Sequence, residues 1–306
     1  MKLRPFHTES EAEMLRGSLH AHTNVSDGDL SPEALLDAYR AQGYDFVAIT
    51  DHFRSEFAFP VTDGTPWAKD LTLIPSAELH HGLTSTGWLW HFTANGLPVD
   101  FEPPREEETT SDLVRRAVEA GAFVSIVHPG WYQLTLEDAD GPLELAHAVE
   151  IYNAGCQAMH DRGDGAYLVD GLLDRGRRIL LTAVDDTHGH LPDLGLAWVN
   201  VHAKDRSATS VVEALKAGDF YSSQGPEIKA LEFDVDTHRL RIRTTAAKTI
   251  LVNGQGYANA FCTGVNITKA EIDLSPLGDS PWFRVTVVAQ DGRRAWTNPY
   301  WFDELR

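Results

Sequence analysis

Thiols, cationic side chains and long apolar runs are all scarce here. Only Cys156 and Cys262 occur in 306 residues, too few for a disulfide framework or a thiolate zinc site, and this usage points to the cytoplasm. Lysine and arginine number 26 against 45 aspartates and glutamates, a formal net charge of -19. Such a surface repels phosphate backbones at long range, so a nucleic-acid polymer is not an expected partner. No window approaches roughly 18 uninterrupted apolar residues, and the opening "MKLRPFHTESEAEMLRG" has no apolar h-region; neither a membrane span nor a signal peptide is expected. G-x-S-x-G is missing, and "GLTSTG" at 82–87 has the wrong spacing for a nucleophile elbow. A P-loop and a G-x-G-x-x-G after a strand are missing too, which argues against ATP chemistry and nicotinamide cofactors.

What is present is alternation. From residue 16 to about 225 short apolar runs alternate with helical patterns, the signature of βα units. Strand ends are expected at "SLHAH", "DFVAITDH", "LTLIPSAELH", "WLWHFTA", "AFVSIVHPG", "AVEIYN", "ILLTAVDD" and "LAWVNVHA". Ser31-Pro32-Glu33 reads as an N-cap with proline in the first turn, and Gly43 closes that helix. "SDLVRRAVEAG" from Ser111, "GAYLVDGLLDRG" and "SATSVVEALKAG" read as further helices. After "GDFYSSQGPEI" at 218–228 the texture becomes period-2 alternation with turn signals, the pattern of a small antiparallel sandwich or sheet packed on what precedes it.

Fourteen histidines are present, and their placement matters more than their number. His20 and His22, His52, His91 and His128, with Glu78, Asp186 and His188, each fall at or just beyond an expected strand end. In a parallel barrel those ends converge on one face. A lone histidine after a strand is usually a capped loop residue; this many imidazoles and carboxylates gathered together require compensation, because unpaired buried charge costs several kcal/mol per ion. Divalent metal supplies it, and imidazole with carboxylate suits Zn, Mn or Fe. On a strand His20 and His22 share a face, so H-x-H can chelate one ion, and Asp186-Thr187-His188 repeats the geometry.

These pieces, "LHAHTNVSDG" (19–28), "AITDH" (48–52), "SAELH" (76–80), "SIVHPG" (125–130) and "VDDTH" (184–188), resemble the PHP superfamily, the polymerase and histidinol phosphatase group of metal-dependent phosphoesterases. The resemblance implies an α/β fold, a distorted (β/α)7 barrel over 1–225, with a β-rich appendage at 226–306. It implies two to three divalent ions held by His20, His22, Asp27, His52, Glu78, His91, His128, Asp186 and His188, His91 being carried over on position alone. Activity on a small phosphorylated metabolite or nucleotide would follow, through water attacking in line on phosphorus. With Asp27, Glu78 and Asp186 as anionic ligands, three divalent ions would leave about +3 by charge counting, enough to draw in an anion despite the acidic surface.

Arg54 and Arg162 are candidate phosphate contacts, since a guanidinium forks onto two oxygens; each is otherwise a solvated arginine. His160 or His190 is the candidate proton donor to the leaving group. Asp51 is expected to orient a ligand histidine, Asp185 to be a bystander, and His80 and His81 to hydrogen bond locally. Trp88, Trp90, Trp131 and Tyr132 are candidates to line a pocket, although aromatic residues on strands are more often core; both cysteines read as structural. Two rival readings remain: a hydrolase using the same metals on an amide, carbamate or ester carbonyl, and a degenerate barrel used for binding. Oligomeric state is open.

Overall fold

The computed structural model describes residues 1–6 and 14–305. Every expected strand position in the first two thirds carries a strand: β1 (Leu15–Ser18), β2 (Phe46–Ile49), β3 (His52–Phe53), β4 (Thr72–Leu83), β5 (Leu89–Asn95), β6 (Phe123–Ile126), β7 (Ala148–Asn153), β8 (Leu180–Val184), β9 (Trp198–Val201) and β10 (Phe220–Ser223). Between them run α1 (Pro32–Ala41), α2 (Thr110–Glu119), α3 (Leu136–Leu143), α4 (Ala154–His160), α5 (Ala166–Asp174) and α6 (Ala208–Ala217). The Ser31 hydroxyl caps α1 by accepting from Ala34 N, with Pro32 in the first turn. Helix α2 begins earlier than the expected Ser111: Thr109 and Asp112 form a reciprocal capping box, which satisfies two orphan donors where Ser111 would satisfy one.

One continuous mixed sheet connects these strands. β1, β2 and β4 pair in parallel, as do β6, β7 and β8, but β5 runs antiparallel between β4 and β6. The series also curls round. Beyond β1 and β8 the chain segments meet again, with His22 N donating to Thr187 O (2.9 Å) and Asp186 N to His20 O (3.0 Å). Ser222 of β10 stitches onto β8 by accepting from Ala183 N and donating to Leu181 O.

The remaining strands are β11 (Ile228–Asp234), β12 (Arg239–Asn253), β13 (Asn259–Asp273), β14 (Trp282–Ala289), β15 (Arg294–Thr297) and β16 (Tyr300–Trp301). All their pairings are antiparallel, and β15 pairs with β10, so they extend the same sheet. They enclose an apolar core around Phe233, Ile250, Phe283 and Val287. Trp282, Trp296 and Trp301 instead join the core made by β4–β8 with α2 and α5. Polar fastening accompanies this packing: Arg284 of β14, only 5% exposed, forks onto Asp170 of α5 with both nitrogens at 2.7 Å.

Replacing Asp170 with alanine strands that buried guanidinium. Because the Asp170 side chain is itself 37% exposed, we set the cost at about 2 kcal/mol, below the ~3–5 kcal/mol of a fully buried pair. Urea unfolding should show a lower midpoint at constant slope; an unmoved midpoint would mean that water replaces the carboxylate without loss.

Candidate metal centre

The long strand β4 carries Glu78 into the middle of the curled sheet, where it is 1% exposed. Six imidazoles face its two oxygens. Oε1 lies 2.8 Å from His91 Nδ1 and 3.2 Å from His128 Nε2. Oε2 lies 2.7 Å from His52 Nδ1, 3.5 Å from His22 Nε2, 3.7 Å from His20 Nε2 and 3.8 Å from His80 Nε2. Asp186 closes the ring, its Oδ1 being 3.2 Å from both His20 Nε2 and His22 Nε2. Asp27 and His188 complete an outer group: Asp27 Oδ2 is 3.2 Å from His52 Nε2, and Oδ1 is 3.5 Å from His188 Nε2 and 3.8 Å from His22 Nδ1.

All nine residues assigned from the sequence as metal ligands therefore meet in one place. Two of the nine have strained backbones: His128 and Asp186 adopt positive φ, 31° and 52°, a region β-carbon-bearing residues avoid unless their surroundings impose it. Gly155 lets α4 close on Asp186, since a Cβ at that position would lie 2.7 Å from Asp186 O.

Locally the sequence explains most of these positions, with two changes. The first concerns His20 and His22, which lie just beyond β1 rather than on it; the contact with residues 186–187 holds that segment extended. The second concerns His91, which stands near the start of β5 rather than after its end. Since β5 is antiparallel to its neighbours, its beginning faces the centre.

Two members escaped the sequence reading. His80 was assigned to local hydrogen bonding, yet its Nε2 lies 2.9 Å from His52 Nδ1 and it belongs to a potential ligand group with His52 and Glu78. The signal was available: Glu78 and His80 are two apart on a strand and share a face. Glu150 is the other, a single acid in the apolar strand "AVEIYN" and 1% exposed. It accepts from His20 Nδ1 at 2.7 Å and from His128 N at 2.7 Å. That bond fixes the His20 tautomer, leaving Nε2 to point inward. Asn153 links the two layers by donating to Glu150 Oε2 and Asp186 Oδ2, each at 3.0 Å.

Other candidates occupy different stations. Asp51 orients no histidine; it accepts from Thr23, Ser26 and Thr62 and so shapes the loop after His22. Asp185 accepts three backbone N–H groups from 195–197 and the Tyr39 hydroxyl, while burial pushes its pKa up to about 7. His81 bonds to Glu108 O. Arg54 lines the central cleft but is paired with Glu56. Arg162 lines an adjoining cleft and donates to Trp131 O. His160 borders both clefts, whereas the exposed His190 is held by Asp29 and borders neither. Trp90 and Tyr132 are core, as expected. Trp88 and Trp131 instead wall the cleft, because the β4–β5 hairpin lifts Trp88 out to 58% exposure. Cys156 also borders the cleft, its thiol pKa raised by burial and then by Asp186.

The central cleft has a volume of about 330 Å³. A larger one of about 570 Å³, between the first residues and 298–305, has no histidine, cysteine or aspartate among the described residues that line it. Charge in the centre is strongly polarised. Burial opposes ionisation of Glu78 and Asp186, but the surrounding imidazoles outweigh it and hold both well below the usual carboxylate range. Burial likewise opposes protonation of His52, yet Glu78 and Asp27 lift it to about 10. For His22 burial prevails, with His188 adding to it, and the pKa falls to about 4.

Several buried atoms of the centre have no hydrogen-bond partner among the described residues: His20 Nε2, both nitrogens of His22, Glu78 Oε2, His80 Nδ1, His128 Nδ1 and Asp186 Oδ1. His52 Nδ1 approaches Glu78 Oε2 closely but not in line for a bond. Each orphan costs about 1–3 kcal/mol. Lone pairs converging without donors are what divalent cations satisfy, so the donor set fits N,O-ligated metal.

No family model matches the chain, and no curated protein matches it either. Solved structures do. The chain has a PHP-like fold. It is similar over 98% of its length, and 98% of the other chain, to a two-domain protein containing a predicted PHP-like metal-dependent phosphoesterase from Bacteroides vulgatus, at 17% identity and TM-score 0.55. Weaker matches are a provisionally named metal-dependent phosphoesterase from Bifidobacterium adolescentis (16% identity, 65% and 95% covered, TM-score 0.44) and an amidohydrolase from Chromobacterium violaceum (14%, 56% and 87%, 0.41).

Glu150→Gln keeps the shape of the carboxylate while weakening its hold on His20. Metal affinity measured by competition with a chromophoric chelator should fall about 10–100-fold; an unchanged affinity would remove Glu150 from the supporting layer.

Proposed function

We propose that this chain is a metal-dependent hydrolase of the PHP type, cleaving a small phosphorylated metabolite or nucleotide. In this reading residues 1–225 form the distorted (β/α)7 barrel, 226–306 form the β-rich domain, and the protein works in the cytoplasm. The observation that carries it is the convergence of orphaned imidazole and carboxylate atoms at the floor of a cleft open to solvent.

His20, His22, His52, His80, His91, His128, His188, Glu78, Asp27 and Asp186 would hold two to three divalent ions, Zn, Mn or Fe. Once bound, such ions neutralise anionic oxygens and lower the pKa of water toward neutrality. The chain supplies the rest. Glu150, Asn153 and Asp51 keep the ligands and their loops fixed, so little reorganisation accompanies substrate entry. Arg54, at the rim, donates to an anionic oxygen. His160, bordering the cleft, is placed to protonate the leaving oxygen. Arg162 stands further out and is assigned no contact with the scissile group.

A carbonyl-directed hydrolase is the second reading, and one feature favours it. Arg54 is the sole lysine or arginine among the described residues lining the central cleft, and it already has Glu56 as a partner. Protein without chelator exposure should contain transition metal by elemental analysis, lose activity to a chelator and regain it with Mn or Zn. Glu78→Gln should lower kcat/KM by about 10³ through loss of the shared carboxylate. A panel of phosphomonoesters, phosphodiesters and aryl carbamates decides between the readings: turnover confined to the carbamates overturns the phosphoesterase assignment. Less than one equivalent of metal after reconstitution favours a binding role instead.

A further inference from the structure

Beside the centre lies a second cleft of about 290 Å³, lined by Trp88, Trp131, Tyr132, Gln133, His160 and Arg162. It shares Trp88, Trp131 and His160 with the central cleft, so one ligand can occupy both. Trp88 and Trp131 both line it, their ring centroids 6.5 Å apart and their planes tilted by 51°. Trp131 also reaches inward, its ring 5.2 Å from His128 and 5.6 Å from His91.

Both indoles are held in place. The Trp88 hairpin is closed by Thr84 N donating to Trp88 O at 2.8 Å. Its tip is anchored where Ser85 N and Oγ donate to Asp138 at the start of α3. Trp131 N donates to His128 O at 2.9 Å, and Arg162 grips Trp131 O at 3.1 Å. A tryptophan kept 58% exposed on an anchored hairpin contributes nothing to the core, whereas at the mouth of a polar centre it offers a π face to a ligand.

We propose that Trp88 and Trp131 form a leaving-group subsite selecting substrates whose leaving group carries a planar aromatic ring. This rests on the metal-centre reading above for the position of the scissile bond. The metal-loaded protein is tested with benzyl phosphate against cyclohexylmethyl phosphate, esters of similar size whose leaving groups differ in aromaticity. The expected result is about a tenfold higher kcat/KM for the benzyl ester, from the ring–ring contact, with the ratio falling to about two or less in Trp88→Ala. Where both esters are turned over, equal rates in the unaltered protein, or a ratio untouched by Trp88→Ala and by Trp131→Leu, overturn the subsite.

Calorimetric binding of benzylphosphonate and cyclohexylmethylphosphonate separates the two readings, since neither ligand is hydrolysed. A benzyl preference abolished by Trp88→Ala, in a protein that hydrolyses neither ester, sustains the subsite and removes the phosphoesterase assignment. Equal binding of the two phosphonates overturns the subsite whatever the catalytic result.

Discussion

One buried carboxylate facing six imidazoles is the constraint on which this structure turns. Glu78 has too few protons around it to be satisfied by hydrogen bonds and too little water to be solvated. Its neighbours have the complementary problem, since a neutral imidazole beside another imidazole has a lone pair and no donor. Protonation of His52 relieves some of this, but buried nitrogens of His20, His22, His80 and His128 stay without a hydrogen-bond partner among the described residues. A fold with only marginal net stability tolerates that arrangement when something binds the folded form and not the unfolded chain. Cations bound at this place would link stability to the proposed function.

The architecture serves that centre by bringing short segments to it from many directions. Parallel strands deliver the residues after β1, β2, β6 and β8, and the antiparallel β5 delivers its beginning. Carboxylates that do not face the centre hold the loops that do. Asp185 gathers the N–H groups of 195–197, and Asp51 gathers the hydroxyls around 23–26 and Thr62. Positive φ at His128 and Asp186 is sustained by bonds to the backbone there: His128 N donates to Glu150 and His128 O accepts from Trp131 N, while Asp186 N donates to His20 O. The C-terminal strands contribute at a distance, through tryptophans in the larger core and through Arg284 on α5.

Above the polar floor the cleft changes character. Leu89, Met159, Trp88 and Trp131 form a rim that is apolar and partly aromatic. On the proposed reading, an entrance of that kind would sort ligands by shape and π surface, while the floor would sort them by charge.

Strand positions and most of the ligand set were legible because both depend on local pattern. Apolar runs bounded by turn residues mark strands, and histidines directly after them mark one face of the sheet. Glu78 with His80 shows where the same logic was applied too sparingly, since residues two apart on a strand share a face whatever their names. Glu150 was harder, for a lone acid inside an apolar strand has no partner within reach in sequence; His20 is 130 positions away. For Trp88 and Trp131 the sequence leaves pocket and core both open, because propensity describes strands in general and cannot tell a hairpin tip at a cleft from a buried face.

By itself the sequence determined which residues lie at strand ends and what chemistry they carry, because periodicity and side-chain type are properties of short stretches. The tertiary structure decided which of them meet, which atoms are left unpaired and which aromatics stand in the open. Those outcomes depend on strand direction and on how the sheet curls, and both are set by contacts between segments far apart along the chain.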